Sequence, residues 1–182
     1  MRRWLPNALT LLRVALTPAV GYSLARNDAR TALPLLAVAA LSDAADGWLA
    51  RRLGATSSAG AYLDPIADKL LAATVFVGLA AAGRLPVWLA ALVLGRDLLI
   101  LLFAWWALRF TRLRRFPPSV WGKLSTILQF SLGVGCVLEM AAPAVWLNAV
   151  VRILIPAVAA ATAWSGLHYG WAAMRRLRQM AD

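Results

Sequence analysis

The stretch SDAADGWLARRLGATSSAGAYLDPIADK, residues 42–69, gathers four of the chain's eight acidic side chains within 26 positions. Its flanks are apolar on both sides, so it reads as the end of one membrane-type helix, a turn, and the start of the next. Asp43 and Asp46 stand three residues apart, and Asp64 and Asp68 stand four apart. Either spacing puts a pair on one helix face. Gly54 to Ser58 is the turn signal between the pairs. Antiparallel neighbouring helices joined in this way bring all four carboxylates to one end of a hairpin.

Four carboxylates cannot share a site ionised without counter-charge. Lys69 and Arg51 supply part of it, and divalent cations supply it better. An all-oxygen donor set favours Mg²⁺, Mn²⁺ or Ca²⁺ over zinc. Two such ions would clamp the attacking and leaving oxygens of a phosphoryl transfer. Two other readings compete. One is a charge network that sets helix register. The other is the cation route of a transporter, since acids within spans also mark ion pathways. Gly47, Ala50 and Gly60 beside the acids favour the enzyme. Small residues admit close helix packing, but they also leave room for a bulky ligand, which an ion route does not need.

Working outward, the chain of 182 residues is 62 % hydrophobic, with a mean hydropathy of +0.69. Soluble domains average about 45–50 % apolar, and so large an excess calls for a lipid solvent. Six apolar segments follow, at about 7–26, 32–51, 61–82, 86–108, 120–141 and 145–172. The expected fold is an all-α polytopic membrane protein of six transmembrane helices, forming one domain over residues 1–182. The first segment lacks a small-residue cleavage site and contains Arg13, so it is read as a span rather than a signal peptide.

The net charge is +11, from 19 Lys and Arg against 8 Asp and Glu. The apolar excess argues against nucleic acid as the partner; basic residues beside spans meet anionic lipid and set orientation. Eleven bases flank the spans on the side that holds both termini, and three flank them on the other. The positive-inside rule then puts both termini and the acidic hairpin in the cytoplasm, in a bacterial inner membrane. Trp4, Trp88, Trp121, Trp146 and Trp171 lie near span ends and read as interfacial anchors. The single cysteine, Cys136, cannot form an intramolecular disulfide and reads as a small buried hydrophobe.

The residues from Asp43 to Asp68 fit the pattern D-x2-D-G-x2-A-R-x8-G-x3-D-x3-D at all eight fixed positions. In this the chain resembles the CDP-alcohol phosphatidyltransferase family, which has a six-helix fold and often forms homodimers. The resemblance implies that Asp43, Asp46 and Asp64 hold two divalent ions, Mg²⁺ or Mn²⁺. It implies that Asp68 deprotonates the acceptor hydroxyl while also touching metal. Asp46, Gly47, Ala50 and Gly60 would accommodate the cytidine nucleotide, and Arg51 would meet its diphosphate. The lipid substrate implied is CDP-diacylglycerol, with CMP released.

Other residues bear on the acceptor. Asn7, Thr10 and Arg13 run at three-residue steps along the first segment. With LDPIADK at 63–69, and Gly122-Lys123 followed by Thr126 and Gln129, they are similar to the phosphatidylglycerophosphate synthase and eukaryote-type cardiolipin synthase branch. Arg13, Arg96 and Lys123 are bases within spans and need anionic partners. A phosphate on the acceptor would serve, as would a carboxylate. For Arg13 a motif Asp is in reach, whereas adjacent helix positions do not face each other, so Arg96 and Asp97 are not expected to pair. Asp97 stands where phosphatidylglycerophosphate synthases usually have Glu. That Asp and the His168-Tyr169-Gly170 run look more like cardiolipin synthases. The expected acceptor is glycerol 3-phosphate, with phosphatidylglycerol as the alternative.

Overall fold

The computed structural model describes residues 5–53, 60–110 and 120–181. Within these, the side chains of 5–9, 44, 46–53, 60–65, 104–110, 172–173 and 175–181 fall outside the description. Six helices account for the described residues, and no strand occurs among them: α1 (Leu5–Ala25), α2 (Ala29–Leu53), α3 (Gly60–Ala81), α4 (Val87–Phe110), α5 (Val120–Ala141) and α6 (Val145–Ala181). The helices match the six apolar segments closely. The largest difference is α6, which ends at Ala181 rather than at the expected 172. No proline follows Trp171 to stop it, so the basic run that reads as a flank of the span is itself helical.

Two compact units form. The first comprises the chain to Val87 with Cys136–Ala144, and the second comprises Trp88–Gly135 with Val145–Asp182. In the first unit α1 packs against both α2 and α3. Val20 and Leu24 of α1, Ala32 and Ala39 of α2, and Phe76 and Leu79 of α3 are buried. α1 and α3 run in the same direction. Arg13 meets Asp68, Gly21 meets Thr74, Gly78 meets Leu24, and Asn27 meets Ala82, in the same order along both helices.

Two glycines permit this approach. A Cβ on Gly78 would stand 2.9 Å from the Cβ of Leu24 and 3.3 Å from the carbonyl oxygen of Gly21. One on Gly21 would stand 2.6 Å from Cγ2 of Thr74. Close backbone contact of this kind adds van der Waals attraction between the two helices.

The far end of the pair is latched. Asn27 adopts φ 56° and Gly83 φ 71°, the left-handed conformation in which helices commonly end. After α1, Asn27 N–H donates to the Leu24 carbonyl and Asp28 N–H to that of Ser23; after α3, Gly83 N–H donates to Ala80 and Arg84 N–H to Leu79. The Asn27 side chain then joins the two ends. Its Nδ2 donates to the carbonyl of Ala82 at 3.3 Å, and its Oδ1 accepts from Arg84 Nε at 2.8 Å. Asp28 next caps α2, accepting from the Thr31 amide at 3.2 Å.

Polar groups are buried within the apolar core, and many large apolar side chains face outward. Thr10, Arg13, Thr17 and Ser23 are buried in the first unit; Arg96, Ser125, Gln129, Thr162 and Ser165 are buried in the second. Leu41, Ile66, Leu99, Phe130, Ile153 and Leu167 are exposed. Water would penalise that arrangement, and hydrocarbon favours it. Among the described residues, two stretches are long and apolar enough to cross a membrane, Val120–Ala141 and Val145–Trp171. Trp88, Trp121, Trp146 and Trp171 are exposed, and Cys136 is buried and unbridged.

Two outcomes follow from these contacts. Gly78→Ala forces α1 from α3 and should destabilise the protein by about 1–3 kcal/mol, read as a lowered melting temperature in detergent. Hydrogen bonds from Thr31, side chain first and amide second, hold the Asp28 carboxyl below its ordinary value of 3.8. A depressed carboxylate stabilises the fold above its unfolded pKa, and the contribution disappears as pH falls through its folded pKa. Melting temperature should therefore fall on acidification below about pH 4, and Asp28→Asn should remove part of that slope.

Candidate active site

The acidic hairpin is carried by α2 and α3, with a third participant from α1. Arg13 Nη2 lies 2.7 Å from Oδ1 of Asp43, and its Nη1 donates to Oδ1 of Asp68 at 2.6 Å. The Arg13 side chain is 1 % exposed, while each carboxylate is 53 % exposed. One guanidinium thus ties the first motif acid on α2 to the last on α3, from the buried side. Thr17, one turn further along α1, donates its hydroxyl to the Arg13 carbonyl at 2.8 Å. Thr10 is buried one turn before Arg13.

The other motif residues are placed by their helices alone. Asp46, Gly47, Ala50 and Arg51 belong to α2; Gly60 and Asp64 belong to α3. Their side chains lie outside the described residues, as does that of Asn7 on α1. Among the described residues no three acids, histidines or cysteines come together. Among these residues, Asp43 and Asp68 bring carboxylate oxygens from two helices to one guanidinium, and carboxylates are hard donors of the kind that suits Mg²⁺ or Mn²⁺.

Two expected acceptor residues lie in the second unit. Lys123 is exposed on α5. Arg96 is buried on α4, and here the structure corrects the sequence reading. Its Nη1 donates to Oδ1 of Asp97 at 2.6 Å, so the adjacent residues do pair. The spacing rule concerns where side chains leave the helix, and the long arginine side chain curls back far enough to meet its neighbour. Nη2 of Arg96 donates to Oγ of Ser165 at 2.7 Å. The guanidinium carbon lies 5.7 Å from the Tyr169 ring centroid, within cation–π range. Nε is buried with no hydrogen-bond partner. At Gly122 a Cβ would come within 3.1 Å of the Tyr169 hydroxyl and 3.3 Å of Arg96 Nη2.

Beside this cluster, Ser125 and Thr162 hydroxyls are 3.2 Å apart, and Gln129 Nε2 donates to both at 3.1 Å. Gln129 and Thr126 carried a signal in the resemblance. Ser125, Thr162 and Ser165 did not, though small polar residues recurring at helical spacing in an apolar run mark interhelical contact.

This geometry has counterparts among known proteins. Residues 3–165 match the CDP-alcohol phosphatidyltransferase family. A probable phosphatidylglycerophosphate synthase of Mycobacterium tuberculosis is 34 % identical over 180 residues, covering 94 % of this chain and 82 % of its own. A probable CMP-forming cardiolipin synthase of Drosophila melanogaster is 38 % identical over 120 residues, covering 65 % of this chain. The human CMP-forming cardiolipin synthase is 36 % identical over 114 residues, covering 62 %. The matches span only 36 % of the fly and human proteins' own lengths. No solved structure is a significant match. The chain belongs to the CDP-alcohol phosphatidyltransferase family.

In the Arg96–Asp97 pair Arg96 is buried and Asp97 largely covered, 8 % and 12 % exposed. Removing one partner of such a pair strands the other charge, so Asp97→Ala should cost about 3–5 kcal/mol in an unfolding titration.

Proposed function

We propose that this chain transfers the phosphatidyl group of CDP-diacylglycerol to glycerol 3-phosphate, releasing CMP. The observation that carries this reading is the meeting of Asp43 and Asp68 from two helices at half-exposed positions. Two of the four motif acids share one guanidinium and stay half exposed, which supports a site open to substrate. Coverage of 94 % of the chain by the match to a phosphatidylglycerophosphate synthase favours glycerol 3-phosphate.

The residues take these roles. Asp68 receives the proton of the acceptor hydroxyl, for which a carboxylate within hydrogen-bond reach is needed. The freed oxygen forms a bond to the lipid-linked phosphorus, the bond from that phosphorus to the CMP oxygen breaks, and CMP departs. Arg51 meets the diphosphate, with charge-assisted bonds where leaving-group charge develops. Gly47, Ala50 and Gly60, with Asp46, leave space for the cytidine. Asp43, Asp46, Asp64 and Asp68 would hold two Mg²⁺ or Mn²⁺ ions. When bound, these neutralise the diphosphate and lower the pKa of the attacking hydroxyl. Of the expected acceptor residues, Arg96, whose Nε has no hydrogen-bond partner among the described residues, and Lys123 offer positive charge to a phosphate, and Asn7 and Thr10 offer polar groups on α1. All six helices would span a bacterial inner membrane, residues 1–182 acting as one domain of a homodimer with the acids on the cytoplasmic side.

A second reading, cardiolipin synthesis with phosphatidylglycerol as the acceptor, is favoured by Asp97 and by the 38 % identity to the fly relative. Purified protein given CDP-diacylglycerol and Mg²⁺ should release CMP when glycerol 3-phosphate is added. Release only with phosphatidylglycerol would establish the second reading, and silence with both would refute each. Asp68→Asn should lower kcat by about 10²–10⁴-fold, as expected for loss of a general base.

A further inference from the structure

We propose that Arg13 is a positioning residue of the catalytic centre: a fixed counter-charge from α1 that holds Asp43 and Asp68 in mutual register, rather than a ligand of the acceptor. The inference rests on the reading of these acids as the metal-binding and base residues.

Three observations carry it. First, the two terminal nitrogens of Arg13 are divided between two carboxylates on different helices, at 2.7 Å and 2.6 Å. A guanidinium is a rigid planar fork and is charged at every accessible pH. It sets a distance between two acids as a flexible ammonium cannot. Second, Arg13 is buried while its partners are half exposed. The cation lies beneath the acids and leaves their outer surface to ligands. Both of its terminal nitrogens are already engaged by carboxylates, which a ligand of the acceptor's phosphate would need to surrender. Third, α1 packs closely on α3 from eight residues past Arg13 onward. Glycine contacts press it on α3, and the Asn27 latch fixes the far end.

The physical role follows from charge. Clustered carboxylates repel each other before any ion arrives, and a buried guanidinium is costly unless it is paired. Each need answers the other. With Arg13 in place the acids are assembled before metal binds. Without it, the fold leans on the divalent ion for the missing positive charge.

Three proteins test this: wild type, Arg13→Gln and Arg13→Lys, each purified in detergent. Melting temperature is read with and without Mg²⁺, and Mn²⁺ binding is followed by paramagnetic resonance of the free ion. Arg13→Gln should melt lower than wild type without metal and regain more on addition of Mg²⁺. It should also bind Mn²⁺ more tightly, on the order of tenfold, because a positive charge has left the site. Arg13→Lys keeps the charge and loses the fork. Its Mg²⁺-dependent shift should stay near that of wild type, while its kcat falls about tenfold or more with KM for both substrates within about threefold.

An Arg13→Gln variant with the same Mg²⁺ shift and Mn²⁺ affinity as wild type overturns the counter-charge. A rise in KM for glycerol 3-phosphate at unchanged kcat, in either variant, makes Arg13 an acceptor ligand and overturns the proposal. If Arg13→Gln is too unstable to melt cooperatively, Arg13→Lys decides: unchanged kcat refutes the fork. Wild-type protein that binds no Mn²⁺ would remove the metal reading and this inference together, whereas CMP release with neither acceptor would remove only the assigned reaction.

Discussion

The first unit holds a buried positive charge between two aspartates on different helices. Arg13 is 1 % exposed, and an unpaired guanidinium at such depth is among the costliest groups a protein can carry. Two carboxylates crowded together are a burden of the opposite sign. Each makes the other tolerable, and the geometry that joins them also links Asp43 of α2 to Asp68 of α3. The site's architecture is thus as much a product of charge neutralisation as of packing.

A second buried arginine repeats the theme in the second unit with different means. Arg96 is met by Asp97, Ser165 and the face of Tyr169, and a neighbouring triad of Ser125, Gln129 and Thr162 ties α5 to α6. In a lipid solvent, hydrogen bonds and close packing take over the work that apolar burial does in water. The exposed leucines and the buried serines are two faces of that exchange.

The helices were legible in the sequence because apolar runs and turn residues mark their ends without ambiguity; five of the six agree with expectation within a few residues. The acids were legible because their spacing is local to two helices. What joins them was less so. Arg13 lies 55 residues from Asp68, and no periodicity connects positions so far apart; the sequence left open whether Arg13 met a phosphate or a carboxylate. The Arg96–Asp97 pair was misjudged because helix geometry governs Cβ directions, while a long side chain can double back. Ser165 and Thr162 went unseen because one small hydroxyl in an apolar run looks like any other until its partner is known. Asp46, Gly47, Ala50, Arg51, Gly60 and Asp64 rest on the motif, their side chains being outside the described residues.

The latch at Asn27 and the bridge at Arg13 together turn α1 and α3 into a matched pair of rulers. Fourteen residues separate Arg13 from Asn27, and fourteen separate Asp68 from Ala82. Each is a span of about 21 Å at helical rise. One inserted residue on either ruler would turn the acid or its arginine by roughly 100° relative to the latch. Along these stretches residue identity is constrained at the glycine contacts, and length is constrained throughout. An insertion or deletion there survives only with its twin on the other helix, which makes the spacing itself a heritable trait.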